Sequence, residues 1–210
     1  MRKTTLLAIF LLTGFYTIAQ NFCGSVTMTI AKEGKSAPAT MYFCDGNFMV
    51  RYELDANGQK NKVEYLALAS GKKYMKYNLM GKDLGVELSD SDVKSSVSIV
   101  KIAKTGEKMQ LLGYECELIK IQSSDGNITE TWIFENSPVD FGAYSAILKD
   151  DASALAIAKL GVKCMPIKSV TKDKNGFELS SYEIQEFKNS PLEGGLFVAP
   201  TILTPASQVK

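Results

Sequence analysis

The sequence predicts a mostly β, α+β fold, in which a strongly curved antiparallel sheet of about ten strands carries one or two helices on its concave side. Two observations predict it. Runs of alternating apolar and polar residues, separated by glycine-containing turn pairs, fill most of the chain. One Ala-rich segment has the start and stop signals of a helix. Because no Pro- or Ser-rich linker divides residues 20–210, we predict a single domain there.

Residues 1–19 have the pattern of a cleaved secretory signal peptide. Arg2 and Lys3 precede an apolar run over residues 6–15, which is shorter than the roughly 20 residues that a membrane-spanning helix needs. Small residues then lead to an expected cleavage after Ala19. We therefore expect a mature chain that is periplasmic or secreted and does not span a membrane.

The charge balance excludes one class of partner. The chain has 24 basic and 23 acidic residues, and removal of Arg2 and Lys3 with the signal leaves 22 against 23, a net charge of −1. Proteins that bind nucleic acids normally carry a strongly basic surface. We therefore predict no nucleic-acid partner.

The first three strands are fixed by two turn candidates, residues 33–34 and 45–46, each ending in glycine. A turn centred on the first places Val26 opposite Met41, and a turn centred on the second places Met41 opposite Val50. Both turns therefore put the large apolar residues of three strands on one face. A slip of one residue would destroy this agreement, because side chains alternate between the faces of a strand.

The same register places Cys23 opposite Cys44. Directly opposed Cβ atoms lie about 4.5–5.5 Å apart, close to the separation of about 3.8 Å in a disulfide. An even number of cysteines in an exported chain favours disulfides, whereas a bulky Phe22 directly before Cys23 argues against a lipid anchor there. We predict a Cys23–Cys44 disulfide and, by elimination, a Cys116–Cys164 disulfide.

The later strands follow from the same pattern. They are predicted over residues 63–69, 72–78, 97–104, 108–122, 127–135, 165–174 and 177–188, with turn pairs at 70–71, 105–106, 125–126 and 175–176 and a last short strand at 196–199. The turn at 125–126 places Trp132 and Phe134 on the face that Ile119 and Ile121 share.

A helix is predicted over residues 150–160, where Asp150 and Asp151 stand at the start of an Ala-rich run and Gly161 follows its end. Residues 89–96, capped by Ser89 or Asp90, are a candidate for a second, short helical turn.

The absence of histidine excludes several chemistries. Neither a Ser-His-Asp or Cys-His nucleophile nor a His-ligated metal site can be built. No cysteine spacing fits a zinc site, and the acidic residues Asp83, Glu87, Asp90 and Asp92 lack the spacing of a calcium-binding EF-hand loop. We therefore predict no metal and no cofactor, and our leading prediction, a non-enzymatic protein, has no catalytic residue.

Glycoside hydrolysis by two carboxylates remains open, since it needs no histidine. Glu115, Glu117, Glu130 and Glu135 are the candidates, although solvated strand charges explain them more simply. Of these four residues, Glu117 and Glu130 are the stronger candidates, because the predicted register places both on the same face of the sheet as Trp132.

Methionine and aromatic side chains dominate the predicted inner face of the sheet. The candidate ligand-binding residues are Met28, Met41, Phe43, Phe48, Val50, Tyr52, Met75, Tyr77, Trp132 and Phe134. Flexible methionines beside aromatic rings suit an adaptable apolar pocket. An ordinary core covered by the Ala-rich helix has the same composition, so both interpretations stay open.

Several motifs resemble those of a family of uncharacterised secreted proteins of Bacteroidota. They are Leu112-Gly113-Tyr114-Glu115-Cys116, the strand that ends in Thr129-Glu130-Thr131-Trp132, the Gly161–Ile167 element with Pro166, and the closing Leu196-Phe197-Val198-Ala199-Pro200. The resemblance implies a fold similar to periplasmic lipoprotein carriers of the LolA and LolB kind, an open half-barrel around an apolar cavity. It also implies a lipid or lipoprotein as partner, by analogy of fold.

Three functions follow from these observations. The first is a non-enzymatic binding protein for an apolar ligand such as an acyl chain, a lipid or a lipoprotein. The second is an envelope or secreted interaction module without a small ligand, using loops such as residues 78–97. The third is a carboxylate-based hydrolase.

Overall fold

The computed structural model describes residues 23–56, 59–79, 82–89, 97–145, 147–148, 151–192 and 194–203. The expected signal peptide and its cleavage after Ala19 lie outside these residues, as do Asp90, Asp92 and the candidate helical turn up to residue 96. Among the residues described, no helix has the length and apolar character that crossing a membrane requires.

Within the described residues, eleven strands form one antiparallel sheet. They are β1 Gly24–Lys32, β2 Lys35–Cys44, β3 Asn47–Ala56, β4 Gln59–Ala67, β5 Lys73–Leu79, β6 Lys82–Glu87, β7 Ile99–Leu111, β8 Tyr114–Ser123, β9 Ile128–Glu135, β10 Cys164–Lys172 and β11 Glu178–Lys188. Their order is β6-β5-β4-β3-β2-β1-β11-β10-β9-β8-β7, so the pairing of β1 with β11 joins the two halves of the chain. With β6 and β7 as its edges, the sheet is an open half-barrel, which confirms the predicted mostly β, α+β class.

The register of the first three strands is as predicted. Val26 lies opposite Met41, and Met41 lies opposite Val50. At both turns the first residue is also left-handed, with φ of 52° at Glu33 and 50° at Asp45. Two consecutive residues with positive φ form the tight hairpin turn whose twist matches that of the flanking strands.

The two cysteine predictions have opposite outcomes. Cys23 and Cys44 form a disulfide, with Cα atoms 4.1 Å apart. The second pairing was wrong, because Cys116 and Cys164 are both free and buried. Cys116 lies on β8 and Cys164 on β10, and β9 runs between them. Two strand spacings amount to about 9.5 Å, whereas a disulfide requires Cα atoms within about 7 Å.

The hairpin of β8 and β9 differs from the prediction by one residue. Its loop is longer than the predicted pair 125–126, since the backbone N–H of Ser123 donates to the carbonyl of Asn127. Trp132 therefore lies opposite Leu118, while Ile119 lies opposite Thr131. This slip moves Trp132 to the other face from Ile119, as the alternation of side chains requires.

The turn predicted at residues 105–106 was also wrong. β7 continues through it, and the register with β8 shifts between Lys104 and Lys108, which marks a bulge. The chain reverses instead at Leu112 and Gly113, with φ of 52° and 81°. Tyr114 then begins β8.

The helix prediction is confirmed. Helix α1 spans Ala152–Leu160, and the side chain of Asp151 caps it by accepting from the backbone N–H groups of Ser153 (2.8 Å) and Ala154 (3.2 Å). Gly161, with φ of 64°, ends it in the left-handed conformation that favours glycine. A 3-10 turn over Phe141–Tyr144 precedes the helix and was not predicted.

We call the sheet face that carries Ile30, Tyr182, Ser169 and Thr131 the inner face. These four residues form one row across β1, β11, β10 and β9. Helix α1 contacts β7 to β10 and bonds to the inner face through Ser153. The helix thus lies on the predicted side of the sheet.

The opposite, outer face of β3 to β5 is covered by residues 196–199. Met49, Leu66 and Tyr74 form a small buried cluster against which Leu196, Phe197 and Ala199 pack. The strand predicted over 196–199 is wrong, because this segment is a turn followed by irregular chain. Its apolar residues cover the sheet with their side chains and do not pair with it there.

Candidate functional site

One part of the inner face is a filled core. The rings of Phe43 and Phe48 lie 5.2 Å apart, and Tyr144 stacks on Phe48 at 4.4 Å between ring centroids. Met28 and Met41 pack into the same buried cluster. Here the ordinary-core interpretation of the methionine and aromatic residues applies.

Another part of the inner face is open. A cavity of about 670 Å³ lies between the sheet and the residues that lead into α1. Its apolar wall comes from Ile30, Val50, Val63 and Tyr65 on the strands and from Ile147 and Leu148 opposite them. Volumes of about 300–1,000 Å³ are typical of small-molecule sites.

The structure distributes the ten candidate ligand-binding residues over four environments. Val50 and Tyr52 line the cavity. Met28, Met41, Phe43 and Phe48 are in the filled core. Met75 and Tyr77 are half-buried opposite Tyr65 and Val63 on the inner face, whereas Trp132 and Phe134 are half-buried on the other face from Ile133. Ligand binding by these residues stays a prediction.

One end of the cavity is rich in hydroxyl groups. The side-chain oxygens of Thr131, Ser153 and Ser169 form a buried triangle with sides of 2.8, 2.9 and 2.8 Å. Ser169 lines the cavity, and Tyr182 beside it does so too. Sequence reasoning missed this cluster because it assigned the inner face of β9 to Trp132. The correct register of one turn would have placed Thr131 there.

The hydroxyl of Tyr182 is buried beside this triangle. The hydroxyls of Ser153 and Ser169 lie within hydrogen-bonding reach of its oxygen, outside the strict geometry of a hydrogen bond, and act to lower its pKa. Burial and the negative charge of Asp151 outweigh them and raise the pKa of Tyr182 well above its usual range. The phenol therefore stays protonated and can donate to the triangle of serine and threonine hydroxyls.

Asp151 and Tyr52 complete the polar end. Burial raises the pKa of Asp151, against the opposing effect of the backbone N–H groups that it caps. Burial, followed by the charge of Asp151, also raises the pKa of Tyr52. Both residues line the cavity, which places an acceptor and a second phenol there.

The rim of the cavity is charged. Lys32, Glu33 and Asp125 are exposed and line it, so the cavity opens to solvent at this side. Together with Asp151 they give three carboxylates and one ammonium group among the lining residues. The lining is therefore negative overall when all four groups are ionised.

The carboxylate pair considered for hydrolysis is not assembled. Glu117 lies opposite Ile133 and Glu130 opposite Lys120, so the two side chains leave opposite faces of the sheet. The prediction that both residues share a face with Trp132 was wrong for Glu117, because the register of β8 and β9 differs from the predicted one by one residue. Neither residue lines the cavity.

Ion pairs account for the four candidate glutamates. Glu130 contacts Lys172 at 2.9 Å and Lys120 at 3.0 Å, and the hydrogen bonds from these two lysines hold its pKa below the usual range. Glu117 and Glu135 share Lys104, and Glu115 pairs with Lys108. A carboxyl group with a lowered pKa is a poor general acid.

Metal ligands converge at one place within the described part of the chain. Cys23, Cys44 and Asp45 lie close together there. The two sulfur atoms form the disulfide, so they offer no thiolate to a metal ion. The only ligand left is the exposed Asp45.

The chain is similar to several proteins of known structure. It resembles an uncharacterized conserved protein from Thermus thermophilus, with a TM-score of 0.53 and 12% identity over 89% of this chain and 92% of that chain. For MucB in the MucA/MucB complex of Pseudomonas aeruginosa the TM-score is 0.44, with 10% identity over 86% of this chain and 56% of that chain. For the Mycobacterium tuberculosis lipoprotein LppX the TM-score is 0.41, with 10% identity over 83% of this chain and 91% of that chain.

No curated protein matches the chain. A family described as "Domain of unknown function (DUF4412)" matches residues 22–201. This match covers most of the chain and confirms the resemblance to a family of unknown function. The chain belongs to the DUF4412 family.

Proposed function

We propose that this protein is an exported, non-enzymatic binding protein whose cavity takes the apolar part of a lipid or of a lipoprotein's acyl chain. The observation that carries the proposal is the cavity of about 670 Å³, open at its rim and walled by aliphatic and aromatic side chains. Burial of each CH₂ group of an acyl chain contributes about 0.8 kcal/mol to binding. An apolar wall of this kind therefore provides the main driving force.

The Cys23–Cys44 disulfide supports the proposed periplasmic or secreted location. Disulfides persist in oxidising compartments and are rare in the bacterial cytosol. The separation of Glu117 and Glu130 on opposite faces supports a binding role over a hydrolytic one.

The test is native mass spectrometry, with lipid extraction, of protein purified from its own host, combined with titration of a fluorescent acyl probe. Val63→Trp places an indole in the cavity that Val63 lines. Val100→Trp is the matched control, because Val100 is 64% exposed on β7 and away from the cavity lining. We expect the Val63 variant to lose bound lipid and to bind the probe at least about tenfold more weakly, while the Val100 variant keeps both.

An empty wild-type protein that binds no acyl probe would overturn the proposal and favour an interaction module without a small ligand. Equal probe binding by the two tryptophan variants would place any binding outside the cavity, and would also overturn it.

A further inference from the structure

The rim of the cavity lies at one end of the sheet. Glu33 and Asp125, which line it, belong to the connections from β1 to β2 and from β8 to β9. The connection from β10 to β11 lies at the same end, because β11 begins beside the end of β1, with Ser180 opposite Lys32. Three turns, within residues 32–35, 124–127 and 172–178, therefore adjoin the opening.

Phe177 is the most exposed large apolar side chain in the described part of the chain, at 71%. Its backbone is fixed by two hydrogen bonds within its turn. The N–H donates to Oδ1 of Asp173 at 2.9 Å, and the carbonyl accepts from the N–H of Asp173 at 2.9 Å. The turn thus holds an aromatic ring in water, and a partner that removes this ring from water is favoured by the hydrophobic effect.

Two further exposed apolar side chains lie near Phe177. Ile128 is 44% exposed and Leu179 is 38% exposed. Lys172, at the end of β10, lies opposite both Ile128 and Glu178, so these three strand ends are neighbours. We call Ile128, Phe177 and Leu179 the rim patch. Single exposed apolar residues are common in folded proteins, whereas a group of them marks an interaction site.

Leu179 joins the rim patch to the cavity, because it lines the cavity and is also exposed. Its carbonyl accepts from the backbone N–H of Glu33 at 3.2 Å, which fixes it at the opening. Apolar surface therefore continues from the aliphatic wall of the cavity, past Leu179, to Phe177. An acyl chain that moves along this surface does not have to expose its CH₂ groups to water.

The charges around the rim patch balance. Residues 32–35, 124–127 and 172–178 contain four lysines and four carboxylates, which are Lys32, Lys35, Lys172, Lys174, Glu33, Asp125, Asp173 and Glu178. A surface without net charge has no long-range attraction for a strongly charged partner. It suits the zwitterionic head groups of a neutral bilayer, where the aliphatic stems of lysines can lie along apolar surface while their ammonium groups stay in water.

We propose that the rim patch docks on a lipid bilayer with zwitterionic head groups, with Phe177 and Leu179 inserted at the boundary between head groups and acyl chains. The ligand then passes between bilayer and cavity without crossing water. This inference rests on the proposed lipid-binding function and identifies the partner from which the cavity takes its ligand.

The first experiment is sedimentation of the protein with sucrose-loaded phosphatidylcholine vesicles. We expect wild-type protein to sediment with them, and Phe177→Ser to need at least about tenfold more lipid for the same bound fraction. Leu112→Ser is the matched control, because Leu112 is 45% exposed in the turn from β7 to β8, at the opposite end of the sheet. This control should sediment like wild type. Added salt should leave binding unchanged, since it weakens only interactions between charges.

The second experiment detects insertion directly. Phe177→Trp should show a blue shift of tryptophan emission on addition of vesicles and quenching by lipids with brominated acyl chains. Leu112→Trp should show neither. Trp132, the one native tryptophan, is present in both variants and contributes the same background.

Titration with the soluble fluorescent acyl probe separates this inference from the proposed function. Phe177→Ser should bind the probe as wild type does, because Phe177 does not line the cavity. Wild-type protein that binds the probe but not the vesicles overturns the docking proposal, leaves lipid binding intact and favours a protein as the partner of the rim patch.

Equal sedimentation of Phe177→Ser and Leu112→Ser would also overturn the docking proposal. So would sedimentation only with vesicles that contain anionic phosphatidylglycerol and only at low salt, since charge and not the rim patch would then drive binding. Failure of wild-type protein to bind either the probe or the vesicles overturns both the docking proposal and the proposed function.

Discussion

Pro200 packs against the backbone of Gly85 so closely that a Cβ atom at Gly85 would lie 2.1 Å from the Cγ atom of Pro200. The backbone N–H of Gly85 also donates to the carbonyl of Ile202 at 2.9 Å, and Leu203 forms a parallel bridge to Gly85. These contacts hold residues 196–203 on the outer face, over Met49 and its neighbours.

The first prediction tests this contact. Gly85→Ala introduces the Cβ atom that Pro200 excludes, and overpacking of this kind costs about 1–3 kcal/mol of unfolding free energy. We expect a loss of that size in urea denaturation. Pro200→Ala is the partner substitution. The double variant should lose less than the sum of the single ones, because removal of the ring relieves the clash; additive losses would mean that the two residues do not touch in solution.

The second prediction concerns the disulfide, which links residues 21 apart in sequence. Closing a loop of this length stabilises the folded state by about 3 kcal/mol in the chain-entropy model. We expect the double variant Cys23→Ser, Cys44→Ser to lose this amount in urea unfolding. Dithiothreitol should lower the stability of wild-type protein by a similar amount and leave the double variant unchanged. If dithiothreitol leaves the stability of the wild-type protein unchanged, the Cys23–Cys44 disulfide is contradicted.

The third prediction concerns the two free thiols. Burial, followed by the charges of Glu135 and Asp140, raises the pKa of Cys164 to about 12, and burial also raises the pKa of Cys116. Only the thiolate reacts with iodoacetamide. We therefore expect no alkylation of native protein at pH 8, two adducts after unfolding without reductant, and four after unfolding with reductant. If no adduct forms on unfolding without reductant, Cys116 and Cys164 are joined in a disulfide after all.

The fourth prediction separates the charge of Asp151 from its role as a cap. Asp151→Ala should cost about 1 kcal/mol of unfolding free energy, the usual effect of losing a helix N-cap. Asp151→Asn keeps the cap and removes a charge that burial disfavours. We therefore expect it to be at least as stable as wild type at pH 7.

The sign of the pH dependence follows from linkage. The pKa of Asp151 is raised in the folded state above its ordinary 3.8, so the folded state binds more protons between the two values. Its contribution to stability is therefore present below pH 3.8 and is lost as the pH rises through the folded pKa. The advantage of Asp151→Asn over wild type should grow over that window in urea titrations. An advantage that shrinks with rising pH would contradict the raised pKa.

Local sequence determined the first hairpins, the disulfide and the helix. Two left-handed residues at each turn fix the register of β1 to β3 within a few residues of chain, and that register alone brings Cys23 opposite Cys44. Helix α1 likewise depends on adjacent signals, the cap at Asp151 and the stop at Gly161. In each case the contacts that decide the structure lie close together in sequence.

The register of β8 and β9 shows where local reasoning failed. The pair Asp125-Gly126 predicts a two-residue turn, but a longer loop moves every later side chain by one position. A shift of one residue places Thr131 instead of Trp132 on the inner face, because side chains alternate between the two faces of a strand. The same error led to the wrong prediction that Glu117 and Glu130 lie on one face of the sheet.

Only the tertiary structure determined which part of the inner face is packed with side chains and which part borders the cavity. The pairing of β1 with β11 joins residues that are far apart in the chain, and no turn encodes it. That pairing aligns Ile30 with Tyr182 and, through β10, with Ser169, which creates the polar end of the cavity. Composition specifies that methionine and aromatic side chains are buried, whereas the space left between sheet and helix depends on how non-local elements pack.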